Sequence, residues 1–117
     1  MPAPIVYFDI AGPSVQQQSD FYEHVFGWSV DVGGVVSVPV DGPLLRGTLR
    51  SDPAAKVIYL GVIDIIATQK AIVAHGGRVI APRFEVKGVA VLALFADPAG
   101  NDMGLVELTP DGKTKVP

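Results

Sequence analysis

The stretch of residues 89–108, VAVLALFADPAGNDMGLVEL, constrains the fold of this chain more than any other segment. Its first seven residues are apolar and strand-forming, so a strand here needs cover on both of its faces. The residues DPAGN at positions 97–101 favour a tight turn, because Asp and Asn side chains bond the backbone and Gly tolerates a left-handed conformation. A second strand, predicted over residues 103–108, completes a hairpin. The sequence therefore predicts a sheet in which the strand of residues 89–96 is central.

Two helices and six further strands are predicted from residue types and their spacing. Ser14 followed by Gln17 matches a capping box, and the apolar stripe after it predicts a helix over residues 15–26 that Gly27 ends. Asp64 is expected to cap a second helix, which runs to about residue 75 and ends at the two glycines that follow. The remaining strands are predicted at residues 5–10, 28–32, 35–40, 44–50, 57–62 and 78–86.

The two halves of the chain repeat one order of elements. Tyr7 and Tyr59 take matching places in the first strand of each half, 52 positions apart, and the helix caps Ser14 and Asp64 are 50 apart. Each half is therefore a βαβββ unit. We expect one domain over residues 1–117, with unit one at 5–50, a linker at 51–55, unit two at 56–108 and a frayed tail at 109–117.

Composition limits the classes of partner. The chain is 49% hydrophobic and 18% charged, and this surplus of apolar surface favours a homodimer. A net charge of −3, with Lys and Arg scattered along the sequence, argues against a nucleic-acid partner. The absence of cysteine excludes disulfides and thiolate chemistry. The sequence has no signal-peptide pattern and no 18-residue apolar run, so we expect no membrane contact and a cytoplasmic location.

Three segments resemble one known superfamily. They are IVYFDI with FYEHVFGW near the start, GVIDIIATQKAIVAHGGRVIAPRF in the second half, and the pattern AxFxDPAGNxxGLVEL after it. This ordered combination resembles the glyoxalase/bleomycin-resistance/dioxygenase superfamily, also called vicinal oxygen chelate proteins. The resemblance implies an α+β fold of two tandem βαβββ units that form curved mixed sheets around a cleft, with the helices on the outer face. The superfamily includes metalloenzymes and non-catalytic drug-binding proteins.

The resemblance also implies where a metal ion would be bound. Metalloenzymes of this superfamily place a ligand, usually His or Gln, on the first strand of each unit and a Glu on the last strand. These positions match Tyr7, Tyr59 and Gly104 of this chain, none of which is a usual ligand for a divalent metal. Glu107 is expected to point away from Gly104, because side chains alternate along a strand. We therefore expect no metal cofactor.

Several residues are candidates for a binding site in the cleft. By alternation, Tyr7, Asp9 and Tyr59 are expected at its floor, where the phenols would bind a ligand or fill the space of a lost metal centre. Asp9 is also the candidate catalytic residue, as a general base or an anchor for a cation; alternatively it bonds the polar loop at Gly12. Trp28 is a candidate ligand-binding residue, with a dimer contact and a core position as alternatives.

Two other polar pairs are predicted to lie outside the site. Arg83 and Glu85 share a strand face and are expected to form a solvated pair at a sheet edge, although they could reach a ligand or a partner chain. His24 and His75 are expected on the outer surfaces of the two helices, away from the cleft.

The favoured hypothesis is a protein that binds a small organic molecule in its cleft without a metal ion. One alternative is a metal-dependent lyase, isomerase or dioxygenase with atypical ligands. A second is metal-free acid–base catalysis by Asp9 and a tyrosine. A third is an interaction domain without a ligand.

Overall fold

The chain consists of two compact units with the same order of elements. The computed structural model describes residues 2–38, 40 and 45–117. One unit spans Tyr7–Val57 and is called the N-terminal unit; the other combines Met1–Val6 with Ile58–Pro117 and is called the C-terminal unit. Both boundaries fall inside a strand, namely the first strand of each unit. The first few residues of each of these strands are therefore assigned to the other unit.

Each unit follows the predicted βαβββ order. The N-terminal unit contains β1 (Ile5–Gly12), α1 (Val15–Phe26), β2 (Ser29–Val30), β3 (Val35–Val38) and β4 (Leu45–Ser51). The C-terminal unit contains β5 (Ala55–Val62), α2 (Ile65–Ala74), β6 (Arg78–Val86), β7 (Ala90–Ala96) and β8 (Asp102–Glu107). No helix in the described part of the chain is long and apolar enough to cross a lipid bilayer.

The sheets of the two units have the same mixed topology. In the N-terminal unit β1 pairs in parallel with β4, which pairs antiparallel with β3, and β3 pairs antiparallel with β2. In the C-terminal unit β5 pairs in parallel with β8, and the antiparallel partners β7 and β6 follow. Strand β7 therefore lies between two neighbours, as its apolar sequence predicts. The α+β fold class is confirmed.

The helices begin and end where local sequence signals place them. The Ser14 hydroxyl accepts a hydrogen bond from the Gln17 amide at 3.2 Å, and Gly27 ends α1 with a left-handed φ of 70°. The Asp64 carboxylate accepts from the Ala67 amide at 3.0 Å and caps α2. These contacts involve residues close in sequence, which is why the sequence alone predicts them.

One face of each sheet packs against the helix of its own unit. In the C-terminal unit a buried cluster joins helix α2 to strands β7 and β8; its members are Ile65, Val91, Ala93, Phe95 and Leu105. In the N-terminal unit Val36 and Leu49 are fully buried, and Phe8 lies 5.6 Å from Trp28, measured between ring centroids. Burial of each large aliphatic side chain stabilises the fold by about 1.5–3 kcal/mol.

Several of the predicted boundaries differ in the structure; β1 continues to Gly12, and β2 covers only Ser29–Val30. Strand β4 continues to Ser51 and β5 begins at Ala55, so residues 52–54 alone connect them. The expectation of a frayed tail is wrong, because Thr109 N donates to Lys113 O at 2.7 Å and Lys115 N donates to Glu107 O at 2.9 Å. The strand predicted at residues 35–40 is described over Val35–Val38, and residue 40 is not part of it. Residues 39 and 44, predicted as parts of strands, lie outside the described residues.

Candidate functional site

The face of the N-terminal sheet opposite α1, called here its helix-free face, carries polar side chains from two strands. Tyr7 of β1 is in register with Arg46 of β4, and Asp9 is in register with Thr48. Arg50 lies on the same face, because alternate residues of a strand share a face. The residues of β4 between these positions face the helix. In the sequence LRGTLRS, polar residues of the helix-free face thus alternate with residues that face the helix.

The Asp9 carboxylate is buried on this face and both of its oxygens accept hydrogen bonds. Asp9 is 5% exposed; its Oδ1 accepts from Thr48 Oγ1 and its Oδ2 from Arg50 Nε, each at 2.6 Å. The hydrogen bond to Asp9 is the main reason why the pKa of the Arg50 guanidinium lies above its ordinary value. The alternative that Asp9 bonds the loop at Gly12 is wrong, since its partners are on β4.

The two arginines of this face differ in how they are held. Arg50 also donates from Nη1 to Asp52 at 2.5 Å, so two carboxylates fix its guanidinium. Arg46 is exposed, and its guanidinium forms no hydrogen bond or ion pair with any residue that the structure describes. Arg50 is thus held in one orientation, whereas Arg46 is available to a ligand.

The helix-free face of the C-terminal sheet is apolar at the corresponding place. The ring of Tyr59 lies directly over Gly104, its register partner, and a Cβ atom at position 104 would collide with that ring. The neighbouring strand adds Leu92 and Leu94, which pair with Val106 and Gly104. The Tyr59 ring therefore occupies the space beside Gly104.

The residues at the implied metal positions do not fit a divalent metal. On the first strands they are Tyr7 and Tyr59, whose register partners are Arg46 and Gly104. A guanidinium repels a cation, and the glycine has no side-chain donor and no room for one. Across residues 2–38, 40 and 45–117, no group of three or more His, Asp or Glu could hold a metal ion. The use of no metal by this chain stays a prediction.

Trp28 lies on the helix side of the N-terminal sheet. Its ring stacks on Tyr22 of α1 with 4.6 Å between centroids and an interplanar angle of 11°, and it also contacts Phe8. Offset aromatic pairs of this kind stabilise a fold by about 0.5–1.5 kcal/mol beyond the area they bury. These contacts support the core alternative for Trp28.

A second buried carboxylate lies on the helix side of the C-terminal sheet. Glu107 is 5% exposed, and its oxygens accept from the Ile65 amide at 3.0 Å, from Arg83 at 2.9 and 3.2 Å, and from Lys115 at 3.3 Å. The Arg83 hydrogen bonds, with those from Ile65 and Lys115, lower the pKa of Glu107 to about 2. Glu107 thus points away from Gly104, as predicted, and anchors the first turn of α2.

The expected pair of Arg83 and Glu85 is present on the edge strand β6, but Arg83 is also bound to the buried Glu107, which was not predicted. Their closest charged atoms are 3.9 Å apart, whereas Arg83 donates two hydrogen bonds to Glu107. Both histidines are exposed on the helices, as predicted: His24 contacts the Asp20 carbonyl at 2.7 Å, and His75 caps α2.

Sequence reasoning missed the partners of both buried carboxylates. For Asp9 they are Thr48 and Arg50, about 40 positions away in the sequence. The signal that could have found them is the period-two pattern of β4, where both residues lie on one face. The exact pairing also needs the register of β1 with β4, which the sequence does not state.

Comparison with known proteins supports the fold. No protein-family model matches the chain. Over 123 aligned positions it is 30% identical to the anthracycline biosynthesis protein DnrV of Streptomyces peucetius, covering 85% of this chain and 45% of that protein. A putative glyoxylase, CFP32 of Mycobacterium tuberculosis, is 29% identical over 99 positions, covering 73% of this chain and 38% of that protein. The chain therefore spans about half the length of the curated relatives it matches, or somewhat less.

Solved structures share the architecture at low sequence identity. A Streptomyces coelicolor methylmalonyl-CoA epimerase variant in complex with 2-nitronate-propionyl-CoA has a TM-score of 0.69 and 18% identity, covering 98% of this chain and all of that one. A glyoxalase/bleomycin resistance protein/dioxygenase superfamily member from Vibrio splendidus 12B01 has a TM-score of 0.64 and 15% identity, covering 91% and 99%. The chain therefore shares the fold of these proteins, and the fold that the sequence resemblance implies is confirmed.

Proposed function

We propose that this chain binds a small organic molecule on the helix-free face of its N-terminal unit, without a metal ion. The observation that carries the proposal is the side-chain set of that face: a phenol, a hydroxyl, two arginines and one buried carboxylate. These groups can stack on, donate to and pair with an organic ligand. They include none of the imidazoles that divalent metals prefer, and the carboxylate is already bound by Arg50.

Each residue has a role in this proposal. Asp9 positions Arg50 and prevents its guanidinium from rotating away. Arg46 recognises an anionic group of the ligand, such as a carboxylate, because its own side chain has no partner among the described residues. Tyr7, in register with Arg46, offers its ring to an aromatic or alkyl part. Tyr59 and Trp28, also expected in the site from the sequence, are assigned to packing.

The names of the relatives support a ligand of this class. DnrV is an anthracycline biosynthesis protein, and anthracyclines are fused-ring aromatic molecules. The epimerase variant binds an acyl-CoA, which carries anionic groups. The chain covers less than half of DnrV and is only 18% identical to the epimerase. We therefore use these names only to choose probes.

A homodimer in the cytoplasm is part of the proposal. On helix α1 the large apolar residues Phe21, Val25 and Phe26 are 52%, 58% and 62% exposed. An apolar patch of this kind on the surface of a small protein is typical of a subunit interface. Light scattering on a size-exclusion column is expected to give twice the 12.3 kDa mass of the chain. A monomer mass at every concentration would contradict the dimer and leave the ligand proposal intact.

Titration calorimetry with a matched pair of probes tests the binding. Anthraquinone-2-carboxylate should bind saturably, and its neutral carboxamide should bind more weakly. Arg46→Gln should weaken binding of the carboxylate by about tenfold, the equivalent of about 1.4 kcal/mol, and remove the difference between the probes. Arg78→Gln, which changes an exposed arginine of β6, is the control and should have no effect.

The outcomes separate the parts of the proposal. Equal binding of both probes with no effect of Arg46→Gln would refute the role of Arg46. If neither of the two anthraquinone probes binds, the proposed function is wrong.

A further inference from the structure

A small groove lies between helix α1 and the turn that follows strand β2, within the N-terminal unit. Its volume is about 180 Å³. Val15, Val30 and Val32 form the apolar part of its wall. Gln16, Ser19, Glu23 and Asp31 supply the polar part. Val30 is the register partner of the buried Val36, so the groove adjoins the helix side of the sheet, away from the ligand site proposed above.

Ser19 places an unused hydroxyl in this groove. The residue is only 7% exposed, and its hydroxyl has no hydrogen bond to any residue that the structure describes. Thr68 of α2, by contrast, donates to the carbonyl of Asp64 one turn earlier, at 2.8 Å. No side-chain oxygen or nitrogen of the described residues is both buried and without a partner, so the Ser19 hydroxyl is accessible from the groove that this residue lines. It can accept a hydrogen bond there from an N–H group of a ligand.

The internal repeat explains why the groove exists. The offset of 50 positions that relates the two helix caps matches Ser19 with Gln69. In the C-terminal unit the Gln69 side chain crosses from α2 to the sheet, where Oε1 accepts a hydrogen bond from Arg83 N at 2.6 Å. Serine is too short to make this contact. The N-terminal unit therefore has a groove where the C-terminal unit has a filled helix–sheet contact.

Two carboxylates give the groove a negative charge. The Glu23 carboxylate has no ion pair or hydrogen bond with any described residue. Asp31 is fixed by the turn, since its Oδ1 accepts from Gly33 N at 2.8 Å and from Val35 N at 3.0 Å, while no described residue bonds its Oδ2. No lysine or arginine is among the lining residues, so the two negative charges are not neutralised there.

We propose that this groove binds the primary ammonium group of a small amine. An ammonium group has three N–H donors and no acceptor, which matches the Ser19 hydroxyl and the carboxylates of Glu23 and Asp31. The three valines would contact the alkyl part of the amine. The volume is below the roughly 300 Å³ at which pockets for drug-sized ligands begin, so a short alkylamine or the aminomethyl end of a larger molecule fits.

Nuclear magnetic resonance of the ¹⁵N-labelled full chain tests this site with propylammonium chloride as the probe. Saturable shifts are expected for the backbone amides of residues 15–19 and 30–33. Tetramethylammonium, which has the charge without N–H donors, and 1-propanol, which lacks the charge, should give no saturable shifts. Equal shifts with tetramethylammonium would show charge screening alone and would overturn the proposal.

Three variants of the chain complete the test. Glu23→Gln should weaken propylammonium binding roughly fivefold or more, because it removes one charge-assisted hydrogen bond. Ser19→Gln, which introduces the side chain of the C-terminal unit at the matching position, should abolish binding by filling the groove. Asp102→Asn removes an exposed carboxylate of β8 and should leave binding unchanged.

The same spectra report whether each variant is folded, through the dispersion of its amide signals. Unchanged binding in a folded Glu23→Gln or Ser19→Gln variant would refute the groove as the site. Loss of binding in Asp102→Asn would show that net charge alone is responsible, which also refutes it.

Discussion

In the N-terminal unit the helix-free face of the sheet presents charged and polar side chains, whereas in the C-terminal unit the same face is apolar around Tyr59 and Gly104. The helix-facing sides are alike, since both are built from buried aliphatic residues. The packing of each unit thus depends on the helix-facing side of its sheet, whereas the residues of the helix-free face differ between the two units. This difference is why the ligand proposal is placed in the N-terminal unit.

The two buried carboxylates show the same contrast. Asp9 and Glu107 are equally buried, and each is bound by an arginine. Asp9 faces away from the helix and holds Arg50, whose side chain is 43% exposed. Glu107 faces the helix and bonds the first amide of α2 as well as Arg83 and Lys115. Asp9 therefore organises a surface, while Glu107 holds the helix, the sheet and the tail together.

Glu107→Gln should be the most destabilising of the substitutions considered. The change removes the negative charge that Arg83 and Lys115 face and disrupts the cap of α2. Breaking a buried ion pair costs about 3–5 kcal/mol, and partial exposure of Arg83 places the expected loss near the lower end, at about 3 kcal/mol. Urea unfolding measures it. A loss below that of Asp9→Asn would contradict the contrast between the two carboxylates.

Acid should destabilise the chain through the same residue. The pKa of Glu107 is about 2 in the folded chain and 4.5 ordinarily, so its ionised form stabilises the fold fully above about pH 4.5. This contribution, on the order of 3 kcal/mol, is lost as the pH falls towards 2. Unfolding free energies measured along this range should fall more steeply for the native chain than for Glu107→Gln. Parallel curves would show that Glu107 does not carry the acid sensitivity.

Gly104→Ala tests the packing of Tyr59 in the C-terminal unit. The added methyl group would meet the Tyr59 ring, and overpacking of this kind costs about 1–3 kcal/mol. Thermal unfolding is the measurement. The control is the same substitution in a Tyr59→Ala background, where the ring is gone and the added cost should largely disappear. An equal cost in both backgrounds would mean that Tyr59 does not occupy the space over Gly104.

Of Glu107→Gln, Gly104→Ala and Asp9→Asn, the last should have the smallest effect on stability. The asparagine can still accept from Thr48, but its NH₂ group would face the Nε donor of Arg50. Because Arg50 is half-exposed and can turn to water, we expect a loss of about 1–2 kcal/mol in urea unfolding. Binding of anthraquinone-2-carboxylate should weaken as well, since Arg50 is no longer held. A stability loss with unchanged binding would remove Asp9 from the proposed site.

Local signals explain how much of the fold was predictable. The caps at Ser14 and Asp64, the glycine after α1 and the apolar run of β7 each depend on residues adjacent in sequence. The repeat extended these signals to both units. The tail was mispredicted because its polar composition is typical of frayed ends, whereas its bond from Gly88 N to Pro117 O joins residues distant in sequence.

The candidate site was predictable only in outline. Alternation along β1 identified Tyr7 and Asp9 as neighbours on one face, but the partners of Asp9 depend on a parallel pairing between distant strands. A slip of one residue in that register would have turned the partner side chains to the other face. The groove at Ser19 was also beyond the sequence, because it results from a contact that the other unit makes and this unit lacks.

The most direct test of ligand binding without a metal is calorimetry of the same protein before and after metal removal. Binding of anthraquinone-2-carboxylate is measured on the protein as purified, after treatment with a chelator, and after addition of nickel, zinc, manganese or iron(II), with elemental analysis of each sample. Metal-independent binding predicts one dissociation constant throughout and a metal content far below one ion per chain. Binding that is lost with a stoichiometric metal ion and restored by its return would contradict it.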